Sequence, residues 1–343
     1  MSVGYVYHPI YLKHDTGQHV EVAARLEAIT LYMEETGLKD KLALIEPRPA
    51  TVDEIALVHD KGYIKEVEEA SAKGGDWLDP DTVTSADSYQ AALYAAGGLI
   101  RATEAVVEGE VNGAFALVRP PGHHAVAKQA MGFCLFNNIA IAARYALEKY
   151  DLERVLIVDF DVHHGNGTQS AFYDDPRVMY ISTHEHPFYP GTGMLEETGS
   201  GEGKGSNLNV PLPAGCGDDE YLDVFEKILV PAARRYKPRL ILASAGYDGH
   251  WADPLAMMRV SVSGYARMTS VIKELAAELC QGRLALTLEG GYNLKALAAS
   301  VEATFDVLLG GDVDDVIGGP PHPSAPPDVN GLIAGVKKLH GLG

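Results

Sequence analysis

Five short, almost unbroken apolar runs constrain the fold of this 343-residue chain more than any other feature. They lie at 114–118, 155–158, 178–182, 240–244 and 284–288. Such runs are typical of strands in a parallel sheet, because helices cover both faces of that sheet. Helical stretches are predicted between and around them, at 84–109, 137–149, 219–236, 261–281 and 294–309. The alternation predicts a doubly wound α/β fold.

The composition leaves room for one large domain. Of the 343 residues, 46% are hydrophobic and 22% are charged, which is ordinary for a globular chain of this size. No Ser/Gly/Pro-rich linker divides the first 310 residues, so we expect a single domain over 1–310. The segment 311–343 is rich in Gly, Pro and Asp near its start. We expect it to be an extended arm of the same domain or a mobile terminus, and we assign it no function.

The chain is strongly acidic. Its 28 Lys and Arg against 47 Asp and Glu give a formal net charge of −19. A nucleic-acid surface needs clustered positive charge to replace phosphate counterions, so this balance argues against a nucleic-acid partner. The charge suits a cationic substrate such as a lysine side chain or a polyamine, although solubility alone also explains it.

Cysteine use and hydropathy bear on the compartment. Cys134, Cys216 and Cys280 lie far apart and form no CxxC pair, which favours reduced thiols over a disulfide framework or a cysteine-ligated zinc site. The first residues show no basic segment followed by an apolar stretch. No apolar run approaches the ~18 residues needed to span a bilayer. These features predict a cytoplasmic protein without a membrane partner.

Polar and titratable residues follow four of the predicted strands. In open parallel sheets, ligands bind beyond the carboxyl ends of the strands. Glycines flank the polar groups at each of these four ends. The polar groups are Arg119, His123 and His124 after the first run, Asp159, Asp161, His163, His164 and Asn166 after the second, Asp248 and His250 after the fourth, and Glu289 and Tyr292 after the fifth. Four polar strand ends at one edge of a sheet predict a functional site there.

Asp161, His163 and Asp248 are the candidate metal ligands. Asp161 and His163 stand two residues apart, so at the end of an extended strand their side chains point the same way. Asp248 follows the next strongly apolar run of the chain and supplies a third ligand. Catalytic zinc takes three protein ligands and leaves a position open, although Asp/His/Asp also accommodates iron or cobalt. A lone Asp-x-His pair is usually structural, and only its place among four polar strand ends favours a metal.

The paired histidines are candidates for proton transfer. His123 and His124 are poor joint ligands, because adjacent residues on an extended segment point to opposite sides. A histidine beside a metal-bound water serves as general base and then as general acid. Asp159 and Asn166 can hydrogen-bond such imidazoles and fix their tautomers. Tyr292 follows a glycine pair that permits a close backbone approach, so its phenol is a candidate oxyanion donor. Surface histidines in a turn and a packing tyrosine are the alternatives.

Six segments carry a resemblance to a known family: RPPGHHA (119–125), GFCLFNN (132–138), VDFDVHHGNGT (158–168), YPGTG (189–193), GYDGHWADPL (246–255) and LEGGYN (288–293). They occur in the order found in the histone deacetylase family, and RPPGHH together with Asn166 resembles its class II branch and the bacterial and archaeal deacetylase-like amidohydrolases. The resemblance covers about 3–309. It implies the arginase/deacetylase fold, a single three-layer α/β/α domain with a central, mostly parallel eight-stranded sheet.

The resemblance implies a zinc-dependent deacetylase that hydrolyses the amide of N-acetyl or N-acyl lysine, over a catalytic domain of residues 1–310. It assigns these roles: Asp161, His163 and Asp248 bind one zinc ion, His124 is general base and acid, His123 is its electrostatic partner held by Asp159, Asn166 pairs with the catalytic histidines, and Tyr292 polarises the acetyl carbonyl. It also implies a structural potassium ion, held by the backbone of Asp159, Asp161 and His163 and by the Ser182 hydroxyl.

Substrate contacts are also implied by the resemblance. Phe133 and Tyr189 form the walls of a narrow tunnel for a methylene chain, and Gly132 lies on its floor. The family more often has Phe at the position of Tyr189. Leu255 stands where some relatives that prefer acetylpolyamines carry an acidic residue, which favours acyl-lysine here. Gly291 completes the substrate-binding set, and the candidate rim carboxylate is either Asp79 or Asp81.

Three other functions stay open at this point. An acetylpolyamine amidohydrolase is the main alternative, because the net charge of −19 suits a polycation. An arginase-like ureohydrolase with two manganese ions is the second, but such enzymes resemble one another in an Asp-x-His-x-Asp segment, and here Gly165 occupies the position of its last Asp. A catalytically silent acyl-lysine binder is the third. The expected partners are an acylated lysine peptide or an acylated small amine, with a homo-oligomer left open.

Overall fold

The structure, a computed structural model, describes residues 2–322 and 325–343 and contains one eight-stranded sheet. The strands are β1 (Val3–Val6), β2 (Ala43–Leu44), β3 (Trp77–Asp79), β4 (Thr82–Val83), β5 (Gly113–Ala116), β6 (Val155–Asp159), β7 (Val178–Glu185), β8 (Asn207–Leu212), β9 (Leu240–Ala245) and β10 (Leu284–Leu288). β3 and β4 pair only with each other, as an antiparallel hairpin. The others form a sheet in the order β2-β1-β5-β10-β9-β6-β7-β8, with every pairing parallel.

Helices cover both faces of this sheet and confirm the predicted three-layer α/β/α architecture. They are α1 (Ala24–Glu35), α2 (Val52–Ile55), α3 (Lys61–Ala72), α4 (Ser88–Glu108), α5 (Asn138–Tyr150), α6 (Asn166–Phe172), α7 (Asp218–Val224), α8 (Val230–Tyr236), α9 (Val262–Cys280), α10 (Leu294–Leu309) and α11 (Asn330–His340). In one layer α4 packs on α5, β1, β5 and β10, and in the other α10 packs between α1 and α9. None of the helices in the described residues combines the length and apolarity needed to cross a bilayer.

The central strands lie where the apolar runs predicted them. Every residue of β6, β9 and β10 is buried, as expected for strands covered on both faces. The first predicted strand is shifted, because β5 begins at Gly113 and ends at Ala116. The edge strand β8 was not predicted: Asn207, Asn209 and Pro211 interrupt its apolar pattern, and proline is tolerated at an edge.

The helix predicted over 219–236 is continuous but contains a local irregularity. Its middle, Phe225–Leu229, is π-helical and separates α7 from α8. Pro231 stands at the start of α8 and has no N–H to donate. The backbone N–H of Val230 instead reaches the carbonyl of Phe225, five residues back.

The C-terminal segment differs from the expected extended arm, because α11 covers Asn330–His340 and packs against β8. Val329, Ile333 and Val336 are buried in that contact. Nearer its start, Trp251 Nε1 donates to the carbonyl of Gly318 at 2.8 Å. Residues 330–340 are therefore helical and not extended, because apolar residues recur there at helical spacing. The assignment of 311–343 to the same domain or to a mobile terminus stays a prediction.

Candidate active site

Asp161, His163 and Asp248 converge beyond the carboxyl ends of β6 and β9. All three side chains are buried, and their potential ligand atoms lie within 4.8 Å of one another. His163 Nδ1 is 3.1 Å from Asp161 Oδ1 and 3.1 Å from Asp248 Oδ2. β6 ends at Asp159, so Asp161 and His163 lie in the bend after the strand. The predicted grouping is present, although it arises from that bend and not from the alternation of a strand.

The hydrogen bonds of this cluster leave one buried oxygen without a donor. Asp161 accepts from the backbone N–H groups of His163 at 2.9 Å and Gly290 at 2.8 Å, and Asp248 Oδ1 accepts from Val162 at 3.1 Å. Asp248 Oδ2 is buried and accepts no hydrogen bond. A buried carboxylate oxygen is costly unless a donor or cation compensates it. Asp248 Oδ2 belongs to a cluster of two carboxylates and one imidazole. This set of oxygen and nitrogen ligands suits a divalent cation.

Each of the paired histidines has its own hydrogen-bond partner. His123 Nδ1 is 3.1 Å from Asp159 Oδ2, which also accepts from the Tyr180 hydroxyl at 2.9 Å. His124 Nδ1 is 2.8 Å from Asn166 Oδ1, at the start of α6. One imidazole is therefore paired with a carboxylate and the other with a neutral amide.

The pKa values of the two imidazoles are shifted in opposite directions. Burial opposes protonation of His123, but the carboxylates of Asp159 and Asp161 outweigh it and raise its pKa to about 10. Burial, and the nearby charges of His123 and His163, hold the pKa of His124 well below its usual range. His123 is thus the cationic member of the pair and His124 the neutral one, which is free to accept a proton.

A cavity of about 240 Å³ leads to these groups. Its lining contains these predicted residues: His123, His124, Gly132, Phe133, His163, Tyr189, Leu255 and Tyr292. Tyr189 is 37% exposed and stands at the mouth. A larger groove of about 430 Å³ lies elsewhere, between α1 and α10, and its lining is mainly apolar. The smaller cavity is therefore the one that coincides with the titratable cluster.

Gly132 has a conformation and a position that exclude other residues. Its φ is +57°, in the left-handed region that favours glycine. A Cβ on Gly132 would lie 2.7 Å from Cγ of His124. A side chain here would therefore displace the imidazole of His124, and Gly132 is part of the cavity lining, for which the sequence predicted it as the floor.

Several predicted residues lie differently from expectation or beside unpredicted ones. Gly290, and not Gly291, lines the cavity, and the carbonyl of Gly291 accepts from Arg25 Nε at 2.7 Å. Phe188, which the sequence did not single out, stacks on His163 with ring centroids 5.3 Å apart. Of the two candidate rim carboxylates, only Asp81 lines the cavity, where it accepts from the Gly132 N–H at 3.1 Å.

Tyr292 is held from several directions. Its ring meets Phe133 edge-on with centroids 5.9 Å apart, and the Arg25 guanidinium lies 5.0 Å from its centroid. Arg25 also donates to the carbonyl of Glu289 at 2.5 Å. Burial raises the pKa of the Tyr292 phenol well above its usual range, so the hydroxyl stays a hydrogen-bond donor. Arg25 was not predicted, because nothing in its local sequence separates it from an ordinary helical arginine.

Glu289 is a further residue whose role the sequence did not reveal. Its Oε2 accepts from the backbone N–H groups of Gly122 at 2.7 Å and His123 at 3.2 Å, and its Oε1 accepts from Ser244 Oγ at 2.9 Å. The side chain is fully buried. Glu289 therefore fixes the backbone that carries both histidines, and its place in the LEGGY segment was the available signal.

Ser182 lies opposite Asp159 in the pairing of β6 with β7. Its hydroxyl is buried and lies 2.8 Å from His184 Nδ1. The structure thus places Ser182 next to the segment that carries Asp159, Asp161 and His163. Binding of potassium by these four residues stays a prediction.

Comparisons with known proteins agree with this geometry. The family profile described as histone deacetylase domain matches residues 19–308. The chain is 46% identical over 318 residues to "Histone deacetylase 14, chloroplastic" of Arabidopsis thaliana, covering 88% of this chain and 75% of that protein. It is 43% identical over 298 residues to a "Probable deacetylase" of Archaeoglobus fulgidus, covering 86% and 82%. The crystal structure of the HDA15 HD domain matches with a TM-score of 0.89 and 36% identity, over 99% of this chain and 94% of that one.

Proposed function

The chain belongs to the histone deacetylase family, and from this premise we propose that it is a zinc-dependent deacetylase of N-acyl lysine side chains. Hydrolysis of an amide follows from the family, whereas the zinc and the acyl-lysine substrate are the proposal. The observation that carries it is Asp248 Oδ2, a buried oxygen without a hydrogen-bond donor beside Asp161 and His163. This cluster lies next to a cavity lined by His124 and Tyr292.

Asp161, His163 and Asp248 would hold the zinc ion. When bound, zinc supplies Lewis-acid polarisation of the amide carbonyl and makes a water molecule more acidic. A two-manganese, arginase-like site is not supported, because in residues 2–322 and 325–343 these three residues are the one group of three or more His, Cys, Asp or Glu whose ligand atoms all lie within 4.8 Å of one another. Gly165, where a further ligand would stand, has no side chain. We also retain the potassium ion at Asp159, Asp161, His163 and Ser182 as a proposal.

His124 is the group that moves protons. Its Nδ1 faces the oxygen of Asn166 at 2.8 Å, so Nδ1 carries the hydrogen and Nε2 keeps a free lone pair. The attacking water gives a proton to Nε2 as its oxygen bonds to the acyl carbon. Tyr292 donates a hydrogen bond to the resulting oxyanion. The C–N bond then breaks as a protonated imidazole returns the proton to nitrogen, releasing acetate and the free amine.

The cavity walls favour an acyl-lysine substrate. Phe133 and Tyr189 present aromatic surfaces to a methylene chain, and Leu255 adds an aliphatic wall. Leu255 stands at the position where acetylpolyamine-preferring relatives carry an acidic group, and Asp81 is the one carboxylate that the described residues contribute to the lining of this cavity. An acylated lysine of a peptide therefore fits better than a polyamine with a second ammonium group, which stays the alternative substrate.

The test is hydrolysis of an acetyl-lysine peptide and of N-acetylputrescine, each measured with zinc and with a chelator. We expect zinc-dependent release of acetate, with the peptide preferred. His124→Ala should lose activity by at least ~100-fold, because general acid–base catalysis contributes about that much or more. His322→Ala is the matched control, since His322 is exposed and lies outside the cavity. Near-normal turnover by His124→Ala would contradict the mechanism, and a preference for the polyamine would contradict the substrate.

Location and assembly stay predictions. The cytoplasmic location rests on the sequence alone, and the name chloroplastic belongs to the plant relative. The absence of a nucleic-acid partner rests on the net charge of −19. A homo-oligomer stays open, and light scattering of the purified protein would determine its mass in solution.

A further inference from the structure

Asp253 connects two segments that both line the cavity. Its Oδ2 accepts hydrogen bonds from the backbone N–H groups of Tyr292 at 2.7 Å and Asn293 at 3.1 Å. Its Oδ1 accepts from the N–H of Leu255 at 3.0 Å. One carboxylate thus holds the backbone of the phenol donor and the backbone of the aliphatic wall.

The environment of Asp253 shows that these three bonds are what stabilises it. The residue is only 8% exposed. Within the part of the chain that the structure describes, no Lys, Arg or His nitrogen lies within 4.0 Å of its carboxylate. The backbone N–H groups therefore offset part of the cost of burying it, and their directions fix where both segments lie.

Asn293 strengthens the same connection. Its side-chain amide donates to the carbonyl of Ala252 at 2.9 Å, next to Asp253. Its side-chain oxygen accepts from the N–H of Ala296 at 3.1 Å and caps the start of α10. The backbone of Tyr292 is thereby held between the Asp253 carboxylate and a rigid helix.

We propose that Asp253 is a positioning residue that sets Tyr292 and Leu255 in place together, and so couples oxyanion stabilisation to substrate fit. The proposal rests on the proposed function for the roles of those two side chains. A misplacement of about 1 Å in an active site can lower the rate ~100-fold. Asp253 does not line the cavity, and it acts through the backbone that it holds.

Asp253→Asn is the direct test. Asparagine has one acceptor oxygen, so its NH₂ group must face either the N–H of Leu255 or the N–H groups of Tyr292 and Asn293. The backbone hydrogen bonds on the side that the NH₂ group faces are lost. We expect kcat on an acetyl-lysine peptide to fall ~100-fold, with unchanged zinc content. We expect KM to change by less than about threefold, because the carbonyl donor contributes chiefly in the transition state.

Asp315→Asn is the matched control. Asp315 also accepts three backbone hydrogen bonds, from Ile317 at 3.1 Å, Gly318 at 2.7 Å and Ser263 at 3.1 Å. It does not line the cavity. The control loses the same kind of contact, so kcat near the wild-type value is expected for it.

A double-mutant cycle separates positioning from general destabilisation. In a Tyr292→Phe background, Asp253→Asn should cost less than about tenfold in kcat, because the hydroxyl that it misplaces is already gone. Equal costs in both backgrounds, or wild-type kcat in the single variant, would overturn the proposal. Asp253→Glu keeps the charge and lengthens the side chain, and it gives the same test if the Asn variant does not fold.

Hydrogen exchange gives a readout that does not depend on turnover. The released side, which is either the amide of Leu255 or the amides of Tyr292 and Asn293, should exchange faster in Asp253→Asn than in wild type, and all three amides should exchange at the wild-type rate in Asp315→Asn. If wild-type protein hydrolyses no acyl amine, the proposed function fails while the exchange experiment still tests the connection. Unchanged exchange at all three amides would overturn the positioning role.

Discussion

Replacing Gly290 with alanine tests whether the carboxylate cluster holds a metal. A Cβ at this position would lie 2.7 Å from Asp161 Oδ2 and 2.7 Å from Asp248 Cγ, and closer still to Asp248 Oδ2. Ordinary van der Waals contact begins at 3.4 Å, so Asp161 Oδ2 and Asp248 Cγ must each retreat by about 0.7 Å, the difference between these distances. Gly290 does not have a positive φ, and alanine can adopt its backbone conformation. The cost is therefore confined to the ligands.

A shift of this size is large for a metal site. Metal–ligand distances hold to about ±0.2 Å, so the alanine variant should lose at least one good ligand. We expect zinc to bind at least ~100-fold more weakly, which corresponds to about 2.7 kcal/mol. Competition with a chromophoric chelator measures this directly, and unfolding in the presence of a chelator should differ little from wild type.

Gly249→Ala is the matched control for that experiment. Gly249 follows Asp248 directly, but outside its two chain neighbours the nearest atom to a Cβ there would be the Tyr265 hydroxyl oxygen at 3.1 Å, and the next ones, at 3.8 Å, belong to Met258 and Tyr221 and not to a carboxylate. Its zinc affinity should stay within a few-fold of wild type. A Gly290→Ala protein that binds zinc as tightly as wild type would refute the reasoning, since the cluster would then not be the metal site.

Three further predictions concern catalysis, selectivity and stability. Tyr292→Phe should lower kcat by ~10²–10³-fold with little change in KM, as loss of one oxyanion donor does; steady-state kinetics on the acetyl-lysine peptide measure it, and a change in KM alone would contradict the assigned role. Leu255→Glu should shift selectivity towards N-acetylputrescine by about tenfold, because a carboxylate on the cavity wall attracts the second ammonium group; an unchanged ratio in a competition assay would speak against this. Burial opposes ionisation of Glu21, but Arg119 and Arg25 outweigh it and lower its pKa to about 2, against an ordinary 4.5. Its contribution to the free energy of unfolding, on the order of 3 kcal/mol, is complete above pH 4.5 and is lost as the pH falls towards 2. Urea unfolding should therefore show a smaller loss of stability between pH 6 and pH 3 for Glu21→Gln than for wild type, and equal losses would contradict the prediction.

The parts of the fold that were predictable are the parts whose burial is uniform. β6, β9 and β10 are covered on both faces, so every position selects an apolar residue and the run is visible. β8 lies at the edge of the sheet, where Asn207 and Asn209 are buried. The side-chain Nδ2 of each donates a hydrogen bond to Gln169 Oε1 at 2.8 Å. Those bonds are long-range contacts, so the local sequence around β8 has no continuous apolar pattern.

The grouping of Asp161, His163 and Asp248, and the place of the histidine pair beside it, were predictable for a different reason. Asp161 lies three residues after the apolar run 155–158 and Asp248 lies four residues after the run 240–244, so their positions at one sheet edge follow from the strand pattern. Arg25, by contrast, reaches the carbonyl of Gly291 from a position 266 residues away. Its role depends on where α1 packs against α10, which no local pattern gives. The titratable groups of the candidate site were therefore accessible from the sequence, and the groups that hold them in place were not.

The strand order explains both the convergence of the site and the glycines within it. Along the chain β5 and β6 come first and β9 and β10 last, but in the sheet β10 and β9 lie between β5 and β6. Neighbouring strands are about 4.8 Å apart, so the ends of β5 and β6 are roughly 14 Å apart. His123 and Asp159 nevertheless approach to 3.1 Å, which requires the segments after the outer strands to fold over the ends of the inner ones. These segments fill the space beyond the carboxyl ends of β9 and β10. A Cβ on Gly246 would lie 2.6 Å from Asp161 Cα, and a Cβ on Gly290 would meet the carboxylates of Asp161 and Asp248. The topology that brings the outer segments together therefore requires glycine after each inner strand.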